Sequence, residues 1–306
     1  MTEALYRERS EGPIARTHRT LPRKTKEGLI GQIENAFKKD MLAEKFPAHC
    51  KDGSTICGTD EGTAIRIIEA HVSGFEWPPR EDIDDATLFD LIEFFAARVS
   101  TPKQGNYHEF YRHYELKFSE QEGKKCFREE IDLILKNGGT LFTLTTSGKI
   151  ERIGTPELQE ALSAQPSRTG DNTTDRLIDE ARRLYRSPKA TERQTGLEKL
   201  WDAFERIKTI EGEGDKKATT KALLQYIKSE PFRDYVNREM KQLTAIGNDF
   251  RIRHHEKSKH EISAPEAADY LFTRMSSLIM YLLKVSGRTG EVPQSAYSAQ
   301  LDDIVF

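Results

Sequence analysis

The strongest constraint on the fold is a change in hydrophobic periodicity at one polar segment. Residues 165–174 (QPSRTGDNTT) include Pro and Gly and no aliphatic residue, which is typical of a linker. After this segment, apolar residues recur at helical spacing as far as Gly287, whereas helical and alternating patterns are mixed before it. The chain has 306 residues, enough for two domains. We therefore expect a mainly α fold, with an α+β domain over 26–163, a linker over 164–173, a helical bundle over 174–288 and a tail over 289–306.

The first domain is expected to combine helices with a small antiparallel sheet. Apolar spacing predicts helices near 26–39, 62–73, 86–100 and 119–137. Tyr114, Leu116 and Phe118 alternate with polar residues, which predicts a strand. Two short β-type runs flank Ser147-Gly148 and predict a hairpin. Residues 1–25 have no apolar period and a basic excess, so they are expected to form a flexible basic arm.

The second domain is predicted to be a succession of amphipathic helices. They are predicted around residues 177–184, 190–209, 223–227 and 235–246, the last broken near Gly247. A final helix is predicted to begin at Pro265 and to end near Ser286-Gly287. Between residues 174 and 288 there are 23 Lys/Arg and 18 Asp/Glu, although the whole chain carries a net charge of −3. This local excess favours contact with a polyanion in the second domain.

Composition excludes several classes of protein. No run approaches about 18 apolar residues, so no membrane partner is expected. Three cysteines are too few for a disulfide-built secreted fold, and a cytoplasmic location is expected. His49-Cys50 and Cys57 lack the spacing of a zinc site, so these thiols are expected to be structural. A cluster of aromatic residues and histidines precedes the predicted strand: Tyr107, His108, Tyr111 and His113. These side chains could stack on bases, but partial burial against the sheet is expected.

The densest chemistry lies in residues 247–260 (GNDFRIRHHEKSKH). A histidine can transfer protons at neutral pH and an arginine can hold a phosphate, so the segment fits metal-free cleavage of RNA, whose 2′-OH is the nucleophile. His254, Glu256 and His260 could ligate zinc, but no HExxH spacing or cysteine pair accompanies them. The remaining alternative is a solvated loop whose charges pair locally. No metal and no cofactor are expected.

Three segments of the second domain resemble the C-terminal part of bacterial abortive-infection proteins of the HEPN class: 197–209 (LEKLWDAFERIKT), 246–256 (IGNDFRIRHHE) and 269–279 (DYLFTRMSSLI). The first domain resembles the N-terminal domain of J-type abortive-infection proteins at 89–94 (FDLIEF), 127–135 (FREEIDLIL) and the 147–150 (SGKI) hairpin.

The resemblance implies a HEPN-like helical bundle that forms a homodimer and acts on RNA, either tRNA or mRNA, as a metal-independent endoribonuclease in anti-phage defence. The first domain would then sense infection, through a phage-derived trigger, or restrain the effector. The family motif is Arg-x(4–6)-His. Placing its Asn at Asn248 and its His at His254 puts Gly247 at the motif Arg. In this segment the literal spacing occurs only at Arg253 and His260. Either Arg251 and Arg253 replace that arginine, or the domain is a non-catalytic module of a defence system that binds nucleic acid or nucleotide or serves for dimerisation.

On this reading each residue of the segment has an expected role. His254 is the general acid or base, with His255 in reserve, and Arg251 and Arg253 hold the scissile phosphate. Asn248 donates a hydrogen bond to phosphate or orients the histidine. Glu256 either fixes the imidazole tautomer or pairs with a neighbouring cation. Nucleic-acid contacts are expected from Arg251, Arg253, Lys257, Lys259, His260 and Arg206.

Overall fold

The computed structural model describes residues 6–51, 53, 55–164, 169–212, 215–250, 252, 260, 262 and 264–289. The chain divides into two compact units, Met1–Ile153 and Gly154–Phe306. Among the described residues the fold is mainly helical, and its two-stranded antiparallel sheets all lie in the first unit. This confirms the predicted fold class. None of the helices that the structure describes combines the length and hydrophobicity needed to cross a bilayer.

The first unit consists of five helices and three hairpins within the described ranges. Its helices are α1 (Tyr6–Glu11), α2 (Arg23–Lys38), α3 (Glu61–His71), α4 (Asp85–Ala96) and α5 (Glu120–Asn137). Its strands are β1 (Pro47–His49), β2 (Ile56–Thr59), β3 (Thr101–His108), β4 (His113–Ser119), β5 (Phe142–Leu144) and β6 (Ile150–Arg152). The sheets are β1–β2, β3–β4 and β5–β6. The predicted β4 strand and the hairpin at Ser147-Gly148 are confirmed.

The core of the first unit lies between α2, α4 and α5. Helix α4 begins where the Asp84 side chain accepts hydrogen bonds from the backbone N–H groups of Ala86 and Thr87. Each helix turns one apolar face inward, as its 3.6-residue period requires. The fully buried residues of this core include Leu29, Ile33, Leu88, Leu91, Ile92, Phe95, Ile131 and Leu135.

Carboxylates at helix ends and on helix faces hold two of the hairpins. Asp40, just after α2, accepts a hydrogen bond from the backbone N–H of Thr59 at 2.8 Å. Asp132 of α5 accepts one from Leu144 at 2.7 Å, and Glu93 of α4 accepts one from Ile150 at 2.8 Å. An isolated two-stranded sheet is marginally stable and leaves strand donors unpaired. These three carboxylates pair such donors and join β1–β2 and β5–β6 to the helices.

The segment before α2 is packed rather than forming the flexible arm predicted for residues 1–25. The Arg16 guanidinium donates to the carbonyls of Thr140 and Phe142. His18 N donates to Gly139 O at 2.9 Å and Leu141 N donates to His18 O at 2.9 Å. Leu21 is buried. The segment lacks an apolar period because backbone groups and one arginine, not a hydrophobic face, make most of these contacts. Residues 1–5 lie outside the described part of the chain.

The second unit is wholly helical where it is described. Its helices are α6 (Pro156–Ser163), α7 (Asn172–Tyr185), α8 (Ala190–Ile207), α9 (Lys216–Leu224), α10 (Glu230–Asp249) and α11 (Pro265–Val285). Helix α7 packs along α8, and α11 contacts both α8 and α6. At the centre, the rings of Tyr185 and Phe272 stack with their centroids 3.9 Å apart. Trp201 and Phe204 of α8 are fully buried beside them.

The division between the units falls before α6, earlier than the linker predicted over 164–173. Thr155 caps α6 and Pro156 occupies its first turn. Leu158 and Leu162, four residues apart on one face, are both buried in the core of the second unit. Within the predicted linker, Thr169 is also fully buried. Residues 165–168 lie outside the described ranges.

We expect Leu158→Ala to destabilise the second unit and not the first, since its side chain fills only the second core. The chain has two tryptophans, Trp77 packed on the first core and Trp201 buried in the second. In a Trp77→Phe background, where fluorescence reports Trp201, the substitution should lower the free energy of unfolding by about 2–4 kcal/mol.

The matched control is Leu88→Ala, which removes an equally buried leucine from the first core. It should shift the transition that Trp77 reports in a Trp201→Phe background. If Leu158→Ala instead shifted the Trp77 transition, the assignment of α6 to the second unit would be wrong.

Candidate nucleic-acid interface

Most of the predicted site residues lie outside the described part of the chain. The structure describes Asn248, His260 and Arg206. Of those singled out from the sequence, it does not describe Arg251, Arg253, His254, His255, Glu256, Lys257 and Lys259. Their roles therefore remain predictions, and the described residues show where the segment begins and ends.

The two ends of the predicted catalytic segment lie side by side. Helix α10 ends at Asp249, and Ile252 beyond it is fully buried in the helical core. His260 N donates to Asp249 O at 3.2 Å, and its ring centroid lies 5.9 Å from that of Phe250. The structure thus brings His260 back to the end of α10, beside the turn that carries Asn248.

Gly247 packs against the indole of Trp201. A β-carbon at position 247 would overlap Trp201 Nε1, so only glycine fits this crossing of α10 and α8. The sequence predicts a break of the helix near Gly247, and α10 ends two residues later, at Asp249, while the glycine itself serves this close approach. Position 247 also faces the core, so on this backbone an arginine there would not reach a solvent-facing site.

Arg206 forms an ion pair away from this segment. Its Nε and Nη2 atoms donate to Asp171 Oδ2 at 3.0 and 2.6 Å. Asp171 is the N-cap of α7 and also accepts from the backbone N–H of Thr173 at 3.0 Å. The pair therefore joins the end of α8 to the start of α7, and the structure does not bring Arg206 together with Asn248 or His260.

A large basic cleft lies between α9 and α10. Its volume is about 680 Å³, and its wall includes Lys208 at the end of α8. Six cationic side chains line it, against three carboxylates. The cations are Lys208, Lys216, Lys217, Lys221, Arg233 and Lys241, and the carboxylates are Asp215, Glu230 and Asp234. This arrangement concentrates positive potential in a concave surface, where it attracts an anionic ligand most strongly.

A buried ion-pair network fixes one wall of the cleft. Lys208 is only 6 % exposed, and its Nζ donates to Glu205 Oε1 and to Thr244 Oγ1 of α10. Glu205 also accepts from Lys216 at the start of α9. Burial opposes ionisation of Glu205, but the hydrogen bonds from Lys208 and Lys216 outweigh it and hold its pKa below the usual value. Glu205 thus ties α8 to α9, and Lys208 ties α8 to α10.

Three further lysines of the cleft are available to a ligand. Lys217, Lys221 and Lys241 are exposed and form no ion pair with a described carboxylate. Lys217 and Lys221 are four residues apart on α9, so they share a face, and Lys241 lies on the opposite wall. Sequence reasoning missed them, although the i,i+4 lysine pair and the basic excess of residues 174–288 were the available signals.

One face of α10 connects the cleft to the predicted catalytic segment. Asn237, Lys241 and Thr244 line the cleft at helical spacing. Asn248 follows Thr244 by four residues and is exposed on the same face. A strand of nucleic acid lying along this face would run from the lysines to Asn248 and to His260 beside it.

No family model, no curated protein and no solved structure matches this chain.

We expect Gly247→Ala to lower the free energy of unfolding by about 1–2 kcal/mol, because overpacking against Trp201 outweighs the gain in helix propensity. Gly31→Ala on α2 is the matched control, since a β-carbon there would meet nothing within 4 Å. It should raise stability by about 0.5–1 kcal/mol. Urea denaturation measures both. Stabilisation by both substitutions would contradict the close approach at Trp201.

The lowered pKa of Glu205 predicts a pH-dependent contribution to stability. A carboxyl group whose pKa is lower in the folded state stabilises the fold above its unfolded pKa, and this contribution is lost as the pH falls through the folded pKa. Glu205→Gln should therefore destabilise the protein at neutral pH, and its difference from wild type should shrink on acidification. Glu160→Gln, at an exposed position on α6, is the control and should leave the stability profile unchanged. A Glu205→Gln difference independent of pH would contradict the ionised network.

Proposed function

We propose that this chain is an anti-phage abortive-infection effector of the HEPN type, whose helical unit binds RNA and cleaves it without a metal ion. The cleft between α9 and α10 is the observation that supports it best, because six cations line it against three carboxylates on a chain whose net charge is −3. Lys217, Lys221 and Lys241 are exposed there and form no ion pair with a described carboxylate. A phosphate backbone matches such a surface in charge and shape.

In this proposal the cleft positions the strand and residues 248–260 carry the reaction. The 2′-oxygen forms a bond to phosphorus as the bond from phosphorus to the 5′-oxygen breaks. His254 takes the proton of the 2′-OH, and a second acid, His255 or His260, gives a proton to the leaving 5′-oxygen. Arg251 and Arg253 bind the phosphate oxygens and offset the charge that develops on them. The effector acts as a cytoplasmic homodimer, and the first unit restrains it until infection.

A specific observation favours a second candidate function, RNA binding without cleavage. Position 247, where the family motif carries arginine, is a glycine packed against Trp201. If Arg251 and Arg253 do not replace that arginine, the chain keeps the phosphate-binding cleft and lacks a group that stabilises the transition state. The two candidate functions predict the same affinity for RNA and differ in whether the bound RNA is cleaved. Binding and cleavage are therefore measured separately.

Binding is tested with fluorescently labelled single-stranded RNA over a range of salt concentrations. We expect the affinity of the wild type to fall steeply with salt, by a slope of about 0.7 per phosphate contact. The triple variant Lys217→Ala, Lys221→Ala, Lys241→Ala should bind more weakly, with a slope smaller by about 2. Lys284→Ala, at an exposed position on α11 that does not line the cleft, is the matched control. Binding that is insensitive to salt or unchanged in the triple variant would exclude this cleft as the RNA site.

Cleavage is tested on total RNA in EDTA, after circular dichroism has confirmed that the chelated protein is folded. His254→Ala and Arg253→Ala should abolish cleavage while salt-dependent binding persists. His71→Ala, an exposed histidine of α3 in the first unit, is the control and should cleave normally. RNA that is bound but not cut by wild type would establish the second candidate function. Phage challenge of cells expressing the chain then tests the role in defence.

A further inference from the structure

A cysteine and two histidines of the first unit converge where two hairpins meet. Cys50 directly follows β1, His108 ends β3 and His113 begins β4. The β3–β4 register pairs His108 with His113, so both imidazoles project from one face of that hairpin. Tyr107 and Tyr114, the next pair along, project from the opposite face. The register therefore presents two imidazoles side by side to the thiol of Cys50.

The donor atoms are close enough to share one ion. One ligand atom from each of Cys50, His108 and His113 lies within 4.8 Å of the others. Cys50 Sγ is 3.7 Å from His108 Nδ1, and the two imidazole centroids are 5.4 Å apart. Ligands at about 2.3 Å for sulfur and about 2.0 Å for nitrogen are separated by about 3.3–3.6 Å in a tetrahedral site. Small side-chain adjustments bring these three atoms to that geometry.

The environment of each group suits a metal ligand. Cys50 is only 7 % exposed and is not in a disulfide. His113 Nε2 is buried and has no hydrogen-bond partner among the described residues. His113 Nδ1 lies 3.3 Å from the carbonyl oxygen of Tyr114. With its Nδ1 proton donated to that carbonyl, the imidazole keeps the Nε2 lone pair for a metal ion, as in many histidine–zinc sites.

We infer that Cys50, His108 and His113 bind a zinc ion. Among the described residues the cluster contains one thiol, two imidazoles and no carboxylate, a donor set that selects zinc over magnesium or calcium. Three protein ligands leave one tetrahedral position to water or another small ligand. The ion would join the β1–β2 hairpin to the tip of the β3–β4 hairpin, so its binding energy would stabilise the first unit. This site is independent of the proposed RNA cleft, which belongs to the second unit.

The full chain, reduced and freed of metal, is titrated with Co²⁺ as a spectroscopic probe. We expect one Co²⁺ per chain, a thiolate-to-cobalt charge-transfer band, and loss of that band when Zn²⁺ is added. Cys50→Ser should abolish the band, and His113→Gln should weaken Zn²⁺ binding by about 100-fold or more, since even the loss of a ligand's hydrogen-bond partner costs about 10–100-fold. The control thiols are Cys57, which donates to the carbonyl of Ala48, and Cys126, which is exposed on α5. Cys57→Ser and Cys126→Ser should bind both metals as wild type does.

Thermal melting supplies a second readout that does not depend on cobalt chemistry. Zn²⁺ should raise the Tm of the wild type in a concentration-dependent way and leave that of Cys50→Ser unchanged. Circular dichroism without metal confirms that both proteins are folded at the start. The inference is overturned if wild type binds neither ion at stoichiometric level. It is equally overturned if Cys126→Ser removes the band, or if Cys50 is alkylated at the same rate with and without Zn²⁺.

Discussion

The contact between Gly247 and Trp201 sets the geometry on which the candidate interface depends. Helices α8 and α10 approach so closely there that no side chain fits at position 247. The buried Trp201 Nε1 has no hydrogen-bond partner among the described residues, so tight packing is kept although a polar group stays unsatisfied. Because this crossing fixes α10, it also fixes the face that carries Lys241 and Thr244 and the point at which residues 250–260 begin.

The charged side chains of the second unit serve two purposes, which are to hold helices together and to attract an anionic ligand. Lys208 and Lys216 both pair with Glu205, and these ion pairs hold the helices together while the carboxylate offsets part of the positive charge. Lys217, Lys221 and Lys241 have no such described partner, and their potential remains available in the cleft. The local basic excess of an acidic chain thus separates into a structural part and a part free to bind an anion. Composition alone does not distinguish the two, because both use the same residue type.

The helices could be predicted from the sequence and several strands could not, for physical reasons. Helices such as α5 and α8 carry long amphipathic periods, and their bounds agree with the structure within a few residues. Strand β3 contains Pro102 and Gly105 and does not alternate, and it is a strand only because β4 pairs with it. The amino-terminal part of α9 is polar, so its lysines were not predicted to face a cleft. Helices α9 and α10 are consecutive in the chain, but the cleft between them depends on how they pack, which the apolar pattern of neither helix specifies.

The two candidate sites differ in how readily the sequence reveals them. The charged residues and histidines of 247–260 are neighbours in the sequence and can be recognised there, whereas the cysteine and histidines of the first unit are spread from Cys50 to His113. Their convergence requires the β3–β4 register together with the packing of β2 beside β4. In this unit, Asp132 on α5 and Asp40 just after α2 already join hairpins to the helical core. A metal ion at Cys50, His108 and His113 would perform the same task between two hairpins, at a tip where the chain supplies imidazoles and a thiol instead of carboxylates.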